Sequence, residues 1–208
     1  MANILPADDP ECAAYAARLL QQGEIICYPT DTVYGIGAAA THDAAVRRLY
    51  AVKGRQLSKP LPLLIANAAS AGFVADVTPL AHTLMNRFWP GALTIVMRKQ
   101  RGFHSLALAG QDTVALRVPD HDLVRDIIRL LGEPITGTSA NRSGARAPVS
   151  ASEVAFQLGD MVALVINGGT APGGVESTVV DITDTPSIVR EGAVSRLEIE
   201  QAIGKSLG

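Results

Sequence analysis

Apolar positions along the 208-residue chain fall into two kinds of run. Short continuous runs read as buried strands, and longer stretches with helical spacing read as amphipathic helices. Asp9 and Pro10 open a first helix and Gly23 follows its end. The run Ile25-Ile26-Cys27-Tyr28 makes residues 24–28 a strand. Thr41 caps a second helix with Val46, Leu49 and Tyr50 on one face, and Gly54 ends it. Residues 61–66 read as a strand, Thr78-Pro79 opens a helix bearing Leu80, Leu84 and Phe88, and Trp89-Pro90-Gly91 turns into a strand over 93–97. A loop at 100–112, with few anchors, leads to a strand at 113–118. Asp120 then caps a helix running to Leu131, and a short strand follows at 134–137. Ser150/Glu153 and Ser195/Glu198 have capping-box spacing for two late helices. Between them lie strands at 162–166, 177–181 and 187–190.

Helices and strands interleave from end to end, with more strands in the last third. The pattern predicts an α/β fold with a mixed sheet, as one domain over residues 1–208. The Gly-rich stretch 167–174 is short and flanked by strands, so it reads as a loop. Apolar residues make up 48% of the chain, yet no run approaches the roughly 20 residues of a membrane span. Met1-Ala2-Asn3-Ile4 carries no secretory pattern, so the expectation is a cytoplasmic protein with no membrane partner. Cys12 and Cys27 lack partners at metal spacing and read as buried thiols, and His42, His82, His104 and His121 are too scattered for zinc. The net charge of −2 means that any anion site must come from local clustering.

Such clustering exists. The loop Pro29-Thr30-Asp31-Thr32-Val33-Tyr34-Gly35-Ile36-Gly37 places hydroxyls at the end of a strand, where open α/β sheets hold ligands. Gly35-Ile36-Gly37-Ala38-Ala39-Ala40 formally matches a dinucleotide fingerprint. That fingerprint wants a carboxylate about 20 residues on for the ribose, and Lys53, Arg55 and Lys59 stand there instead. Those cations either neutralise a helix C-terminus or clamp phosphates. In the 113–118 strand, alternation puts Thr113, Ala115 and Arg117 on one face. Two readings of Arg117 stay open: solvent exposure on an edge strand, or a guanidinium facing an anion in a cleft. Ser139-Ala140-Asn141 and Gly173-Gly174-Val175-Glu176-Ser177-Thr178 are either hydrogen-bonded turns or ligand loops. No triad or paired-carboxylate pattern suggests hydrolysis. Hydroxyls and cations at loop ends suit positioning and charge neutralisation, as in nucleotidyl transfer.

Taken in order, these segments resemble the YrdC family of threonylcarbamoyl-AMP synthases. The markers are Pro29 to Gly35, Lys53-Gly54-Arg55, Phe88-Trp89-Pro90-Gly91, residues 113–117, Ser139-Ala140-Asn141 and Val175-Glu176-Ser177-Thr178. The resemblance runs from about Glu24 to Arg190. It implies an α/β fold, with a twisted mixed sheet and flanking helices around a concave basic cavity. It also implies a nucleotidyltransferase that condenses L-threonine, bicarbonate and ATP to threonylcarbamoyl-AMP and pyrophosphate. The product would supply the N6-threonylcarbamoyl modification of adenosine 37 in tRNA.

By the same resemblance, Thr32, Arg117 and Ser177 would hold threonine, with Arg117 pairing its carboxylate. Lys53, Arg55, Lys59, Thr113, Gly137, Ser139, Asn141 and Arg190 would surround ATP, with Lys53 and Arg55 catalytic. No carboxylate cluster offers a metal site, so Mg²⁺ would ride on the ATP phosphates. Downstream threonylcarbamoyl-transfer machinery and an RNA contact would be its partners. The chain resembles the family's single-domain form, with closure from its own loops at 100–112 and 171–174. Two alternatives keep the fold: an RNA-binding module without synthase activity, and a carbamoyl-transfer paralogue.

Overall fold

The computed structural model describes residues 3–208. Strands β1 (Asn3–Pro6), β2 (Ile26–Tyr28), β3 (Gly35–Gly37), β8 (Thr138–Ser139) and β9 (Leu164–Asn167) form one sheet, in the order β1-β9-β2-β3-β8. A second sheet runs β11-β10-β5-β6-β4-β7, from β4 (Leu63–Leu64), β5 (Leu93–Arg98), β6 (Thr113–Arg117), β7 (Ile135–Thr136), β10 (Thr178–Asp181) and β11 (Ser187–Arg190). Both sheets mix parallel and antiparallel pairs. Among the described residues six α-helices flank them: α1 (Cys12–Gln21), α2 (Asp43–Lys53), α3 (Pro79–Phe88), α4 (Asp122–Leu131), α5 (Ala151–Leu158) and α6 (Arg196–Ile203). The α/β class is the expected one, with its strands divided between two sheets.

The sheets are joined by the chain itself. Thr136 N donates to the Ala38 carbonyl at 2.9 Å, and the buried Thr136 hydroxyl accepts from Ala38 N at 3.0 Å. One residue later Gly137 carries the chain out of β7 and into β8 of the other sheet. A Cβ on Gly137 would stand 2.5 Å from Leu64 Cγ, so only a bare backbone passes there. The result is a cleft between the ends of two sheets.

Most of the core lies in one large cluster centred on Leu49, Leu63, Ile95 and Leu116. A second cluster packs α1 and α4 against β2 and β9. On α4, Val124, Ile127 and Ile128 are buried while Asp122, Asp126 and Arg129 face out. Each of the three contributes about 2 kcal/mol by burial. Cys12 and Cys27 are buried free thiols, as expected, and burial pushes the Cys12 thiol up to about 11.

Several local expectations change. Asp9 does not cap α1; its carboxylate accepts from Glu11 N at 2.8 Å, one residue before the helix starts. His42 replaces Thr41 as the cap of α2, because the Thr41 hydroxyl is taken by Glu133 at 2.5 Å. His121 rather than Asp120 stands at the start of α4, and Asp120 pairs with Arg125 at 3.2 Å. Ser195 and Glu198 form the reciprocal capping box, whereas the Glu153 carboxylate reaches Val149 N in place of Ser150 N. The 100–112 segment is pinned, not free: Ala107 and Leu108 are buried, and the Ala107 carbonyl accepts from Leu61 N at 2.8 Å. Strand β1 and strand β3 were not anticipated, the latter because its Gly-Ile-Gly sequence reads as a turn.

Candidate active site

The β2–β3 turn is built from its own threonines. Thr30 Oγ1 donates to the Val33 carbonyl at 2.6 Å and accepts from the Thr32 amide at 3.1 Å, which closes the turn. The Thr30 and Thr32 hydroxyls are 2.9 Å apart. Since the one Thr30 proton serves Val33, the Thr32 hydroxyl must be the donor to Thr30. Arg117 Nη1 in turn donates to Thr32 Oγ1 at 3.0 Å. The chain runs Arg117 to Thr32 to Thr30 to Val33, each bond polarising the next. Thr32 keeps a lone pair for a ligand.

Arg117 closes β6, a strand flanked by β5 and β4, so the edge-strand reading is overturned. Thr113, Ala115 and Arg117 do share the cavity face, while Val114 and Leu116 enter the core. The guanidinium is buried. Nε donates to the Gly91 carbonyl at 2.8 Å and Nη2 to Asp31 at 2.6 Å. With Nη1 on Thr32, three of its five N–H groups are committed. One N–H on each terminal nitrogen is left over.

Opposite lies the start of β10. The Ser177 and Thr94 hydroxyls are 2.9 Å apart, both buried. Arg190 Nη2 and Nε hold the Ser177 carbonyl at 2.8 and 3.2 Å, and Nη1 pairs with Glu176 at 2.9 Å. Arg190 thus fixes the loop that presents Ser177.

Lys53, at the end of α2, is buried, and Nζ donates to the carbonyls of Ser139 at 2.5 Å and Asn141 at 2.8 Å. Burial, helped by the charge of Arg55, pushes the Lys53 ammonium down to about 8. Asn141 Nδ2 ties the following turn through the Arg142 and Ala145 carbonyls at 2.9 and 2.6 Å. Its Oδ1 is buried without a partner among the described residues, an acceptor that awaits a donor. Among the described residues Arg55 bonds only the carbonyls of Lys59 and Pro60, at 3.3 and 2.9 Å. Three of its five N–H groups stay uncommitted among the described residues.

These groups line two adjoining cavities of about 410 and 460 Å³. Thr32, Thr113, Arg117, Gly137 and Ser177 face the first, and Lys53, Lys59 and Asn141 the second. Arg55, Ser139 and Arg190 face both, so every candidate residue is brought to one cleft. Sequence reasoning missed three partners: Asp31 behind Arg117, Thr94 beside Ser177, and Glu176 against Arg190. For Thr94 the signal was available, as the polar position on an otherwise apolar strand. The carboxylates on the cavity wall, Glu176 and Asp181, already serve Arg190 and Thr183. Among the described residues there is no cluster of metal-ligating side chains. The protein groups therefore do not fit a Mg²⁺ cage of their own.

The Sua5/YciO/YrdC family profile, described as "Telomere recombination", matches residues 18–192. The chain belongs to the Sua5/YciO/YrdC family. It is 41% identical over 203 residues to the threonylcarbamoyl-AMP synthase of Bacillus subtilis, covering 96% of this chain and 58% of that protein. It is 40% identical over 192 residues to the threonylcarbamoyl-AMP synthase of Pyrococcus abyssi, covering 91% of this chain and 56% of that one. The structure of P. abyssi Sua5 complexed with L-threonine superposes with a TM-score of 0.93 at 37% identity, over 100% of this chain and 62% of that one. The chain thus spans between half and two thirds of the length of these Sua5-type relatives. Among the described residues, no helix is long and apolar enough to cross a membrane.

Proposed function

We propose that this chain is an L-threonylcarbamoyladenylate synthase, using L-threonine, bicarbonate and ATP. One observation carries the reading: a buried guanidinium with spare N–H groups, ringed by hydroxyls, opens directly onto a basic cleft. The first part suits an amino acid and the second a polyphosphate. Arg117 supplies N–H groups to the carboxylate. Thr32, with a free lone pair, takes an N–H or O–H of the amino acid, and Ser177 and Thr94 supply further hydroxyls. Arg55 and Arg190 both stand on the wall shared by the two cavities, which supports a role for them toward the α-phosphate.

The amine of threonine adds to bicarbonate with loss of water, giving a carbamate. Its anionic oxygen attacks the α-phosphorus, a P–O bond forms, and the bond to pyrophosphate breaks. No general base is required at that step. The cleft holds the reactants in line and faces the growing negative charge with Arg55, while Lys53 keeps the Ser139–Asn141 turn in place. Charge neutralisation on the triphosphate would be supplied by Mg²⁺ carried on the phosphates themselves, with Arg55 beside them and no protein carboxylate as ligand.

The test is pyrophosphate release from the full chain, with mass-spectrometric detection of the adenylate. Release is expected only when all three substrates are present. Unchanged release without threonine or without bicarbonate rejects the reading.

A further inference from the structure

We propose that Asp31 is a positioning residue for the amino-acid carboxylate, acting through Arg117; this rests on the synthase reading above. Asp31 lies in the β2–β3 turn, and its Oδ1 accepts from Arg117 Nη2 at 2.6 Å and from Asp120 N at 3.1 Å. Arg117 lines the cavity and Asp31 does not. The side chains are only 8% and 16% exposed, so the pair is largely screened from water. Asp31 stands behind the guanidinium, and the ligand meets its front.

The three anchors of Arg117 come from two separate segments: the Gly91 carbonyl from one, and the Thr32 hydroxyl and Asp31 carboxylate from the β2–β3 turn. Three contacts around a planar fork fix both its position and its plane. Asp31 is the only charged one of the three. A buried guanidinium that loses its counter-charge is driven to find another anion or water. Without Asp31 it would swing about the two neutral bonds that remain, and its spare N–H groups would no longer be aimed.

Asp31 is itself clamped. A Cβ on Gly173 would stand 2.7 Å from the Asp31 carbonyl, and Gly174 N donates to the Thr32 carbonyl at 2.8 Å. The 171–174 segment thus presses on the turn that carries Asp31, while Asp120 ties its carboxylate to the end of β6. The Asp31 carboxylate thus holds the Arg117 fork at the cavity wall.

The experiment is calorimetric binding of L-threonine and of L-threoninamide, which lacks the carboxylate, to the full-length wild type, Asp31→Ala and Asp31→Asn. Asp31→Ala is expected to weaken threonine at least about tenfold, the scale of one lost charge-assisted hydrogen bond. Threoninamide affinity should change less than about threefold, because its binding makes no use of the aimed fork. Asp31→Asn, which keeps the shape and one acceptor, should fall between. In turnover the KM for threonine should rise while the KM for ATP stays put.

Equal weakening of both ligands would mean that Asp31 merely holds the turn together, and overturns the proposal. Unchanged or tighter threonine binding by Asp31→Asn also overturns it, since the carboxylate would then only attenuate the charge of Arg117. If Asp31→Ala does not fold, the isosteric Asn variant decides alone by the same criteria. A wild type that binds neither ligand and makes no adenylate rejects the synthase reading itself, and the proposal with it. A wild type that makes adenylate while the variants match it rejects only the role of Asp31.

Discussion

The Lys53 ammonium donates to the backbone carbonyl of Ser139 at 2.5 Å, across 86 residues of sequence. A lysine read from sequence as a phosphate clamp thus spends two of its three protons on the turn that walls the second cavity. It contributes charge to the cleft and shape to its wall at once. Ser143 N returns a bond to the Lys53 carbonyl at 2.9 Å, so helix α2 and the turn hold each other.

That burial has a pH signature. The ammonium titrates near 8 in the folded chain, below the usual 10.5 of an unfolded lysine. Between those values the unfolded chain binds more protons, so this group makes stability rise with pH. Below about 8 both states are charged and the full burial penalty applies. Burial raises Cys27 and Tyr28, which act in the opposite sense at high pH. The expected readout is therefore the difference between wild type and Lys53→Met in urea. At pH 7 the lost hydrogen bonds and the relieved penalty nearly offset, within about 1 kcal/mol. Toward pH 10.5 the variant should fall behind by an amount on the order of 3 kcal/mol. A pH-independent difference would show that Lys53 is not buried as a cation.

Arg55 and Arg117 should separate the two ends of the cleft. Arg55→Ala is expected to cut kcat/KM for ATP at least about tenfold, or 1.4 kcal/mol. Arg117→Lys keeps a charge for Asp31 and loses the fork, so its tenfold loss should fall on threonine. Steady-state kinetics with each substrate varied in turn reads the split. Full activity in both variants would mean the cleft has been misassigned.

Thr136 offers a test of the seam between the sheets. Its buried hydroxyl accepts from Ala38 N at 3.0 Å. Thr136→Val removes that acceptor, leaves a buried N–H unpaired, and should cost about 1–3 kcal/mol in urea unfolding. Because Thr136 lines neither cavity, KM values should hold. A loss of substrate binding without loss of stability would contradict the seam.

The long periodic elements were legible because local pattern decides them: α3 starts at Thr78-Pro79 and β11 spans Ser187–Arg190, as read. Elements decided by distant partners were not. Gly35-Ile36-Gly37 is a strand because β2 and β8 flank it, which its glycines conceal. At the site the residue types that face ligand were readable, since a cation or hydroxyl at a strand end is conspicuous. The partners that fix them were not, because Asp31 meets Arg117 only after 86 residues of folding. Lys53 was legible as a cation and illegible as a brace, for carbonyl acceptors leave no mark in a sequence.

Gly137 links stability to the cleft most directly. A methyl group there would stand 2.5 Å from Leu64 Cγ, with the Leu64 side chain itself on the wall of the first cavity. The backbone of Gly137 is held by the Pro62 carbonyl at 2.7 Å, so the leucine must yield. Its open side is the cavity. Gly137→Ala is therefore expected to cost about 1–3 kcal/mol of stability by overpacking. It should also raise substrate KM values, as Leu64 moves into the space a ligand needs. Leu64→Ala alone should lose about 2–5 kcal/mol by truncation. In the double variant the two losses should not add: the alanine at 64 makes room for the methyl at 137. A coupling of about 1 kcal/mol or more is expected in a double-mutant cycle, with KM restored toward wild type. Strict additivity, with KM still raised, would show that the methyl distorts the crossing strand and leaves Leu64 in place.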